Sequence, residues 1–385
     1  MKLKYVAASK LLLSNWSIPK LDRVLEQTDI RLSRSLDFVS PNNIKVSCVQ
    51  MALHNELPAK DALEMVLGSV NRAVSDGSQL IVFPEYVGLL PLLSSSSLFD
   101  LCYQFSEDLL NGDTEPVQEA LSFYTKYLAQ PLYESYIRFF SMLAIKASVY
   151  ILAGTTIVRT REGLVNRAFL FDPDGTIILQ QDKLHLSAQE KLCGIIPGKE
   201  LPTVQTKLCR ISVLTGMDQR LFEAARAAHS LGSQLLLCPS AFCSSRSSAF
   251  FQSCAFMRCQ EQPVFAVASW LTGDFMDLPF RAISGIYGPF SATKLGNGII
   301  SQTEHPSSDA CLTARIDLER LSRDPDLYLS DFNPSVEQMA QREYTLARQT
   351  KVLPDEADSD EENEGECGAE GEMLENAFEN ESLDR

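Results

Sequence analysis

The chain is poor in the residues that build metal centres and extracellular staples. Its four histidines (His54, His185, His229, His305) are scattered over 385 residues, and none stands in zinc-ligand spacing with a cysteine. The ten cysteines form no C-x-x-C pair, and most sit inside apolar runs such as KVSCVQM and LLLCPSAF. That usage fits small buried hydrophobes in a reducing compartment rather than a disulfide framework. No stretch reaches the roughly 18 uninterrupted apolar residues of a membrane span. The N-terminal MKLKYVAASKLLLSNW begins basic, but Lys10 interrupts its apolar run and no small-residue cleavage site follows, which argues against a secretory leader. No basic patch stands out, which argues against nucleic-acid binding. The expectation is a soluble cytoplasmic protein with no membrane or nucleic-acid partner and no cofactor or metal.

Charge is abundant in one place only. The formal net charge is −16, and 14 acidic residues and one arginine between Pro354 and Arg385 carry about −13 of it. The rest of the chain is close to neutral, and its 45% apolar content is enough for a sizeable core. The tail is too charged and too low in complexity to pack, so residues 354–385 should be disordered, with MLENAF the one part apolar enough to dock.

Four segments follow from the patterning. Residues 1–43 form an extension, helical over IPKLDRVLEQTDIRLSRSLDF. Residues 44–322 interleave strands and helices as one α/β domain, 323–353 form a helical C-terminal extension, and the tail completes the chain. Within the domain, IKVSCVQMAL reads as a buried strand and PAKDALEMVLGSVNRAVSDG as an amphipathic helix with a glycine stop. QLIVF is a strand, a serine-rich loop LLSSSS follows, and residues 116–148 are helical before the strand VYILAGTT. NRAFLFDPDGTIILQQ is a hairpin around Asp-Pro-Asp-Gly. A second strand–helix–strand unit runs from Arg210 to Phe242, and later strands lie in PVFAVASW, SGIYGP, GNGIIS and CLTARIDL.

Charged residues appear where apolar strands end. Glu85 follows directly on QLIVFP, at the C-terminal end of a strand, where open α/β sheets place ligands. Lys183 follows the hairpin in QQDKLHL, and Glu190 comes soon after in SAQEK. Asp218 and Arg220 flank a strand-to-helix turn in SVLTGMDQR, with Gly216 at its apex. Turns of that kind present nucleophiles in many α/β enzymes. The set suggests a carboxylate base, a charge-stabilising ammonium and a turn between them.

These stretches resemble the signatures of the carbon–nitrogen hydrolase (nitrilase) superfamily, whose members hydrolyse or transfer non-peptide amide and nitrile groups. LIVFPEY is similar to the first signature and NRAFLFDPDGTIILQQDKLHL to the second. RISVLTGMDQRLFEAAR with SQLLLCPSAF is similar to the third, where members read roughly ICYDxRFPE. The resemblance spans about residues 44–322. YESYIRFFSMLAIKASVYILAGTT, HLSAQEKLCGIIPG and SCAFMRCQEQPVFAVA are similar to an amidase-like branch.

The resemblance implies a four-layer α-β-β-α sandwich of the nitrilase type. It makes Glu85 the general base, Lys183 the oxyanion stabiliser and Glu190 a supporting second glutamate. It sets Gly216 at the nucleophilic cysteine, and gives substrate contact to Tyr86, Asp218, Arg220, Phe242 and Cys243. It also implies a small amide- or carboxylate-containing ligand, and a homo-oligomer, dimer or higher, pairing through Arg220–Ser230. A glycine has no atom to attack with, so the expectation is a binding, scaffolding or regulatory pseudoenzyme. The charged residues then persist as a buried network, as ligand contacts or for residual catalysis. The rival is an active amide hydrolase using Cys243, Thr215 or water activated by Glu85. A third reading makes the acidic tail the functional part and the domain its carrier. The long segment LLPLLSSSSLFDLCYQFSEDLLNGD is expected to cap or fill the pocket.

Overall fold

The computed structural model describes residues 3–323, except 34, 38, 55–56, 95, 243–247 and 276–277, together with short helical pieces between 335 and 342. The chain divides into two compact units, 1–330 and 331–385. In the second, only those helical pieces are described, and Val336 and Met339 on them are exposed. Most of the expected C-terminal extension and all of the acidic tail lie outside the described residues.

The first unit is built on two sheets joined through one strand. In the first sheet, β1 (Ile44–Leu53), β2 (Leu80–Val82) and β3 (Tyr150–Arg159) run parallel, and β4 (Leu164–Phe171) and β5 (Ile177–Asp182) continue antiparallel. In the second, β6 (Thr203–Gln205) lies antiparallel to β7 (Arg210–Val213), followed by parallel β8 (Leu235–Ala241) and β9 (Phe265–Phe275). β10 (Leu278–Phe280), β11 (Gly285–Tyr287) and β12 (Ile299–Gln302) extend that sheet, and β13 (Ala310–Ile316) returns antiparallel to β1. The last residues of β1, Met51–Leu53, pair with Leu271–Gly273 of β9, so β1 passes from one sheet into the other.

The side-chain alternation of these strands fixes the layers. Val46, Cys48, Val82, Leu152 and Leu170 of the first sheet share one apolar cluster with Ile211, Val213, Leu237 and Val267 of the second. On its other face the first sheet packs Val49, Ile81, Phe83 and Phe169 with Val66 and Val70 of the helix Ala59–Ser75 and Phe139 and Leu143 of the helix Ala129–Ala147. The outer face of the second sheet packs Leu236, Ala266 and Ala268 with Ala224, Ala225 and Ala228 of the helix Phe222–Ser230. The architecture is the expected four-layer α-β-β-α sandwich.

Two local expectations needed correcting. The N-terminal segment forms two helices, Leu3–Asn15 and Ile18–Gln27, and helix does not continue to Phe38. It stops at Thr28, which is extended and whose N–H closes onto the Val24 carbonyl. Leu12, Leu21 and Leu25 belong to the same apolar cluster as the first sheet, so these helices join its outer layer. The serine-rich stretch is also partly helical, since a helix runs over Ser96–Asn111. The region 116–148 is helical as expected, in two helices, Thr114–Tyr127 and Ala129–Ala147, that meet at Leu128. Among the described residues no helix is long and apolar enough to cross a membrane.

Candidate functional site

The expected site residues Glu85, Lys183 and Gly216 follow the ends of strands, and Glu190 stands on a short helix. After β2, Phe83 and Pro84 lead into Glu85, and the close passage of Gly154 holds that bend in place. Gly154 has φ +64, and a Cβ there would lie 1.9 Å from the Pro84 carbonyl oxygen, so only glycine fits. Tyr86 follows in the left-handed region at φ 62, held by its N–H to Thr155 Oγ1 at 2.8 Å. Lys183 leaves β5 with its N–H on the Asn166 carbonyl and its carbonyl on the Gly198 N–H. Glu190 is the third residue of the short helix Ala188–Leu192, in a reciprocal capping box with Ser187. Gly216 opens a 3-10 turn, 216–220, just after β7.

These elements bring Glu85, Lys183 and Glu190 into one buried cluster. Lys183 Nζ lies 2.9 Å from Glu85 Oε1 and 2.8 Å from Glu190 Oε2. Asn166 Nδ2 donates to Glu85 Oε1 at 2.8 Å and to Glu190 Oε1 at 3.1 Å. The Tyr86 hydroxyl donates to Glu190 Oε1 at 2.5 Å, and the Ala241 N–H to Glu85 Oε2 at 2.8 Å. Glu85 is 0% exposed, Lys183 4% and Glu190 5%, so water screens none of these charges.

Two carboxylates share one ammonium, and the excess negative charge falls on Glu85. Its carboxyl is raised to about 7: complete burial pushes it up most, Lys183 pulls it down and Glu190 pushes it up again. Burial also opposes the Glu190 charge, but Lys183, the Tyr86 hydroxyl and the Ser187 N–H outweigh it and hold this carboxyl below its usual range. Burial works against the Lys183 ammonium as well, and the two carboxylates more than offset it, holding its pKa above the ordinary lysine value.

Gly216 completes the cluster from the second sheet. It is buried with φ +53, and a Cβ at this position would lie 2.8 Å from Lys183 Nζ and 2.9 Å from Glu85 Oε2. The neighbouring Thr215 Oγ1 and the Asn166 Oδ1 are buried without a hydrogen-bond partner. Asp218 sits beside the cluster but faces the backbone after Lys183: it accepts from the Leu184 N–H at 3.0 Å and the His185 N–H at 2.7 Å. Gln219 is fully buried, bonded to Ser240 Oγ and to the Ala255 N–H.

The remaining expected contacts lie further out. Arg220 is exposed, its guanidinium 5.0 Å from the centre of the Phe250 ring, and Phe242 stands 5.1 Å from that same ring. Cys243 lies outside the described residues. Sequence reasoning named neither Asn166, Thr155 nor Ser187 as site residues, nor the Ala241 N–H. The capping-box spacing Ser187-x-x-Glu190 was the available signal for one of them. Among the described residues no group of three or more His, Cys, Asp or Glu is arranged to hold a metal. The inserted helices Ser96–Asn111 and Thr114–Tyr127 approach from the Tyr86 side. Leu109, Val117 and Leu121 share a small apolar cluster with Tyr86, Leu186 and Cys193, and Gln118 Nε2 donates to the Leu192 carbonyl at 2.9 Å.

Comparison with known proteins agrees with this fold. The chain is 31% identical over 198 residues to a probable hydrolase, YhcX, of Bacillus subtilis, covering 49% of this chain and 38% of that protein. It is 31% identical over 111 residues to the human omega-amidase NIT2, covering 26% of this chain and 40% of that one. The matched segment thus spans about two fifths of the length of these curated relatives. The structure of a double mutant of the amidase from Nesterenkonia sp. AN1, in complex with acrylamide, superposes with a TM-score of 0.53 at 20% identity. That match covers 77% of this chain and 97% of the amidase, a likeness of fold. The carbon-nitrogen hydrolase family model matches residues 45–323, and with the sandwich and its buried Glu–Lys–Glu cluster the chain belongs to the carbon–nitrogen hydrolase family.

Proposed function

We propose that this chain is a carbon–nitrogen hydrolase-type protein that lacks the thiol step and acts as a binding or regulatory protein. The observation that carries the reading is the position of the missing Cβ at Gly216, within 3 Å of both Glu85 Oε2 and Lys183 Nζ. A nucleophile at that position would hand its proton to a carboxylate base and leave the developing oxyanion beside an ammonium. In a Nesterenkonia amidase the acetamide moiety of fluoroacetamide adds covalently at the active-site cysteine. In our reading Gly216 stands where that cysteine would be, and Glu85, Lys183 and Glu190 keep the roles of base, oxyanion stabiliser and support.

The charged residues have a sufficient reason to persist without catalysis. Removing one partner from a buried ion pair typically costs about 3–5 kcal/mol, because a charge is left uncompensated. The charged heads also stand so close to the absent Cβ that any side chain at 216 must displace them. A small amide or carboxylate compound is the ligand class that suits such a site chemically, and the Arg220–Ser230 face is the one through which copies would pair.

One observation favours a second reading, hydrolysis by water activated at Glu85. Its carboxyl, held near 7, is poised to take a proton at neutral pH, and general-base catalysis alone contributes roughly 10²–10⁴-fold. The deciding experiment incubates the purified protein with acetamide, acrylamide and N-carbamoyl amino acids, and with fluoroacetamide as a label. The proposal expects no ammonia release and no mass adduct. Turnover that disappears in Glu85→Gln and survives in both Cys243→Ser and Thr215→Val would establish the water mechanism instead. Turnover lost in Cys243→Ser would identify that thiol as the substitute. Gly216→Cys is expected to gain labelling at residue 216, and a folded but unlabelled variant would mean that the pocket is closed or rearranged.

A further inference from the structure

We propose that Asp218 is the positioning residue of the site, holding Lys183 at its distance from the Gly216 turn. The inference rests on the reading of Glu85, Lys183 and Gly216 as one retained site. Lys183 and Gly216 belong to different sheets: Lys183 leaves β5 of the first, and Gly216 follows β7 of the second. The strand pairing joins the two sheets through β1, at a distance from both loops, so local contacts set the gap between Lys183 and Gly216.

Asp218 spans that gap. It is 0% exposed and lies two residues beyond Gly216 in the same 3-10 turn. Its Oδ2 accepts the Leu184 N–H at 3.0 Å, and its Oδ1 accepts the His185 N–H at 2.7 Å and lies 2.9 Å from His185 Nδ1. A carboxylate is suited to this because it accepts at both oxygens, whereas an asparagine of the same shape would turn one NH₂ toward a backbone donor. The two bonded amides follow Lys183 directly in the chain. The Lys183 backbone is held in turn by the Asn166 carbonyl and the Gly198 N–H. The start of the lysine side chain is therefore fixed on one side by its own sheet and on the other by the glycine turn. With both oxygens committed to residues 184 and 185, Asp218 acts through Lys183 and does not face a ligand.

The test reads the lysine rather than the fold. Pulses of acetic anhydride on the full chain, followed by peptide mass spectrometry, give the acylation rate of each lysine. Buried and paired, Lys183 should be strongly protected in the wild-type protein. In Asp218→Asn its rate should rise at least about tenfold, while Lys146, which bonds the Leu25 carbonyl far from the site, keeps its rate. Asp218→Glu, which keeps two acceptor oxygens, should restore part of the protection. A folded Asp218→Asn protein with Lys183 as protected as before would overturn the proposal. If that variant does not fold, native hydrogen exchange on the wild type decides. The Leu184 and His185 amides should be protected as well as the Leu214 amide, which bonds Leu237. Exchange at the rate of an open loop would overturn it. Labelling of Gly216→Cys and amide turnover, both measured with Asp218 unchanged, judge the functional reading separately from the lysine acylation rates.

Discussion

Glu85 is a carboxyl group placed where water cannot reach it, and its titration should show in the stability of the whole fold. Its folded pKa is raised to about 7 from 4.5, so the folded chain keeps a proton that the unfolded chain releases. The associated stability is complete below pH 4.5 and is lost as pH rises through 7. The interval corresponds to at most about 3 kcal/mol. Glu190 has the opposite sign: its depressed carboxyl contributes stability above pH 4.5 that is lost as pH falls through its lower folded value, outside this window. His185, raised by its bond to Asp218, shares the sign of Glu85 but is 44% exposed and contributes less. Urea unfolding at pH 5.5 and pH 8 should therefore find the wild-type protein less stable at pH 8 and Glu85→Gln with a flatter profile. A wild-type profile flat across that range would contradict the buried, raised carboxyl. Gly216→Ala tests the same spot sterically. At φ +53 an L-residue costs roughly 1–2 kcal/mol, and the new methyl must also push Lys183 and Glu85 aside, so urea unfolding should show a loss of about 1–3 kcal/mol. At this scale Glu85, Lys183 and Glu190 were legible because a charge directly after an apolar run has to be explained. Asn166 was not, since one asparagine in a strand looks like any polar edge residue, and Ala241 contributes only its backbone N–H, which no side chain advertises.

At the scale of elements, a residue of the first signature is held by parts that the three signatures do not contain. Tyr86 is an aromatic residue in the left-handed region, a conformation that persists only where its surroundings over-determine it. Its ring packs with the inserted helices, its N–H is tied to Thr155 and its hydroxyl reaches Glu190. Tyr86→Phe keeps the ring and the backbone but removes a hydrogen bond to a charged group, which typically contributes about 1.5–3 kcal/mol. Calorimetry should show a lower Tm, and the Glu190 carboxyl, followed by carbon-13 NMR, should titrate at higher pH than in the wild type. An unchanged Glu190 titration would mean that the hydroxyl is not a partner of that carboxylate. The strands were readable here, because β1 is mostly apolar with only Lys45, Ser47 and Gln50 between its apolar residues, and the Asp-Pro-Asp-Gly turn ends β4, with Asp172 Oδ1 accepting the Asp174 and Thr176 N–H groups. The helix over Ser96–Asn111 was not, since serines are weak helix formers and packing of residues such as Leu98 overrides that local preference. Helix was likewise expected past Gln27, where the apolar period continues although the backbone turns away at Thr28.

For the molecule as a whole, the four-layer sandwich leaves the helix Phe222–Ser230 as an outer surface directly behind the Gly216 turn. Its inner face is committed: Ala224, Ala225 and Ala228 are buried against the second sheet, and small side chains there bring helix and sheet close. Its outer face is not fully polar, because Phe222 is 40% exposed and Leu231, just beyond its end, 49% exposed. An exposed large apolar group at each end of the helix favours association, and the helix itself carries one acidic residue, Glu223, and one basic, Arg226, so it presents no strong charge repulsion. Pairing through this face would bury the helix that carries the turn, and so stiffen the site from outside. Sedimentation velocity is expected to find a dimer or larger assembly for the wild-type chain. The double variant Phe222→Asp, Leu231→Asp should shift it toward monomer with little loss of fold, since neither side chain belongs to the core. Removing residues 354–385 should leave the assembly intact, because the charge it deletes lies elsewhere in the chain. A monomeric wild-type chain, or an assembly unmoved by the double aspartate, would show that this face is not the interface.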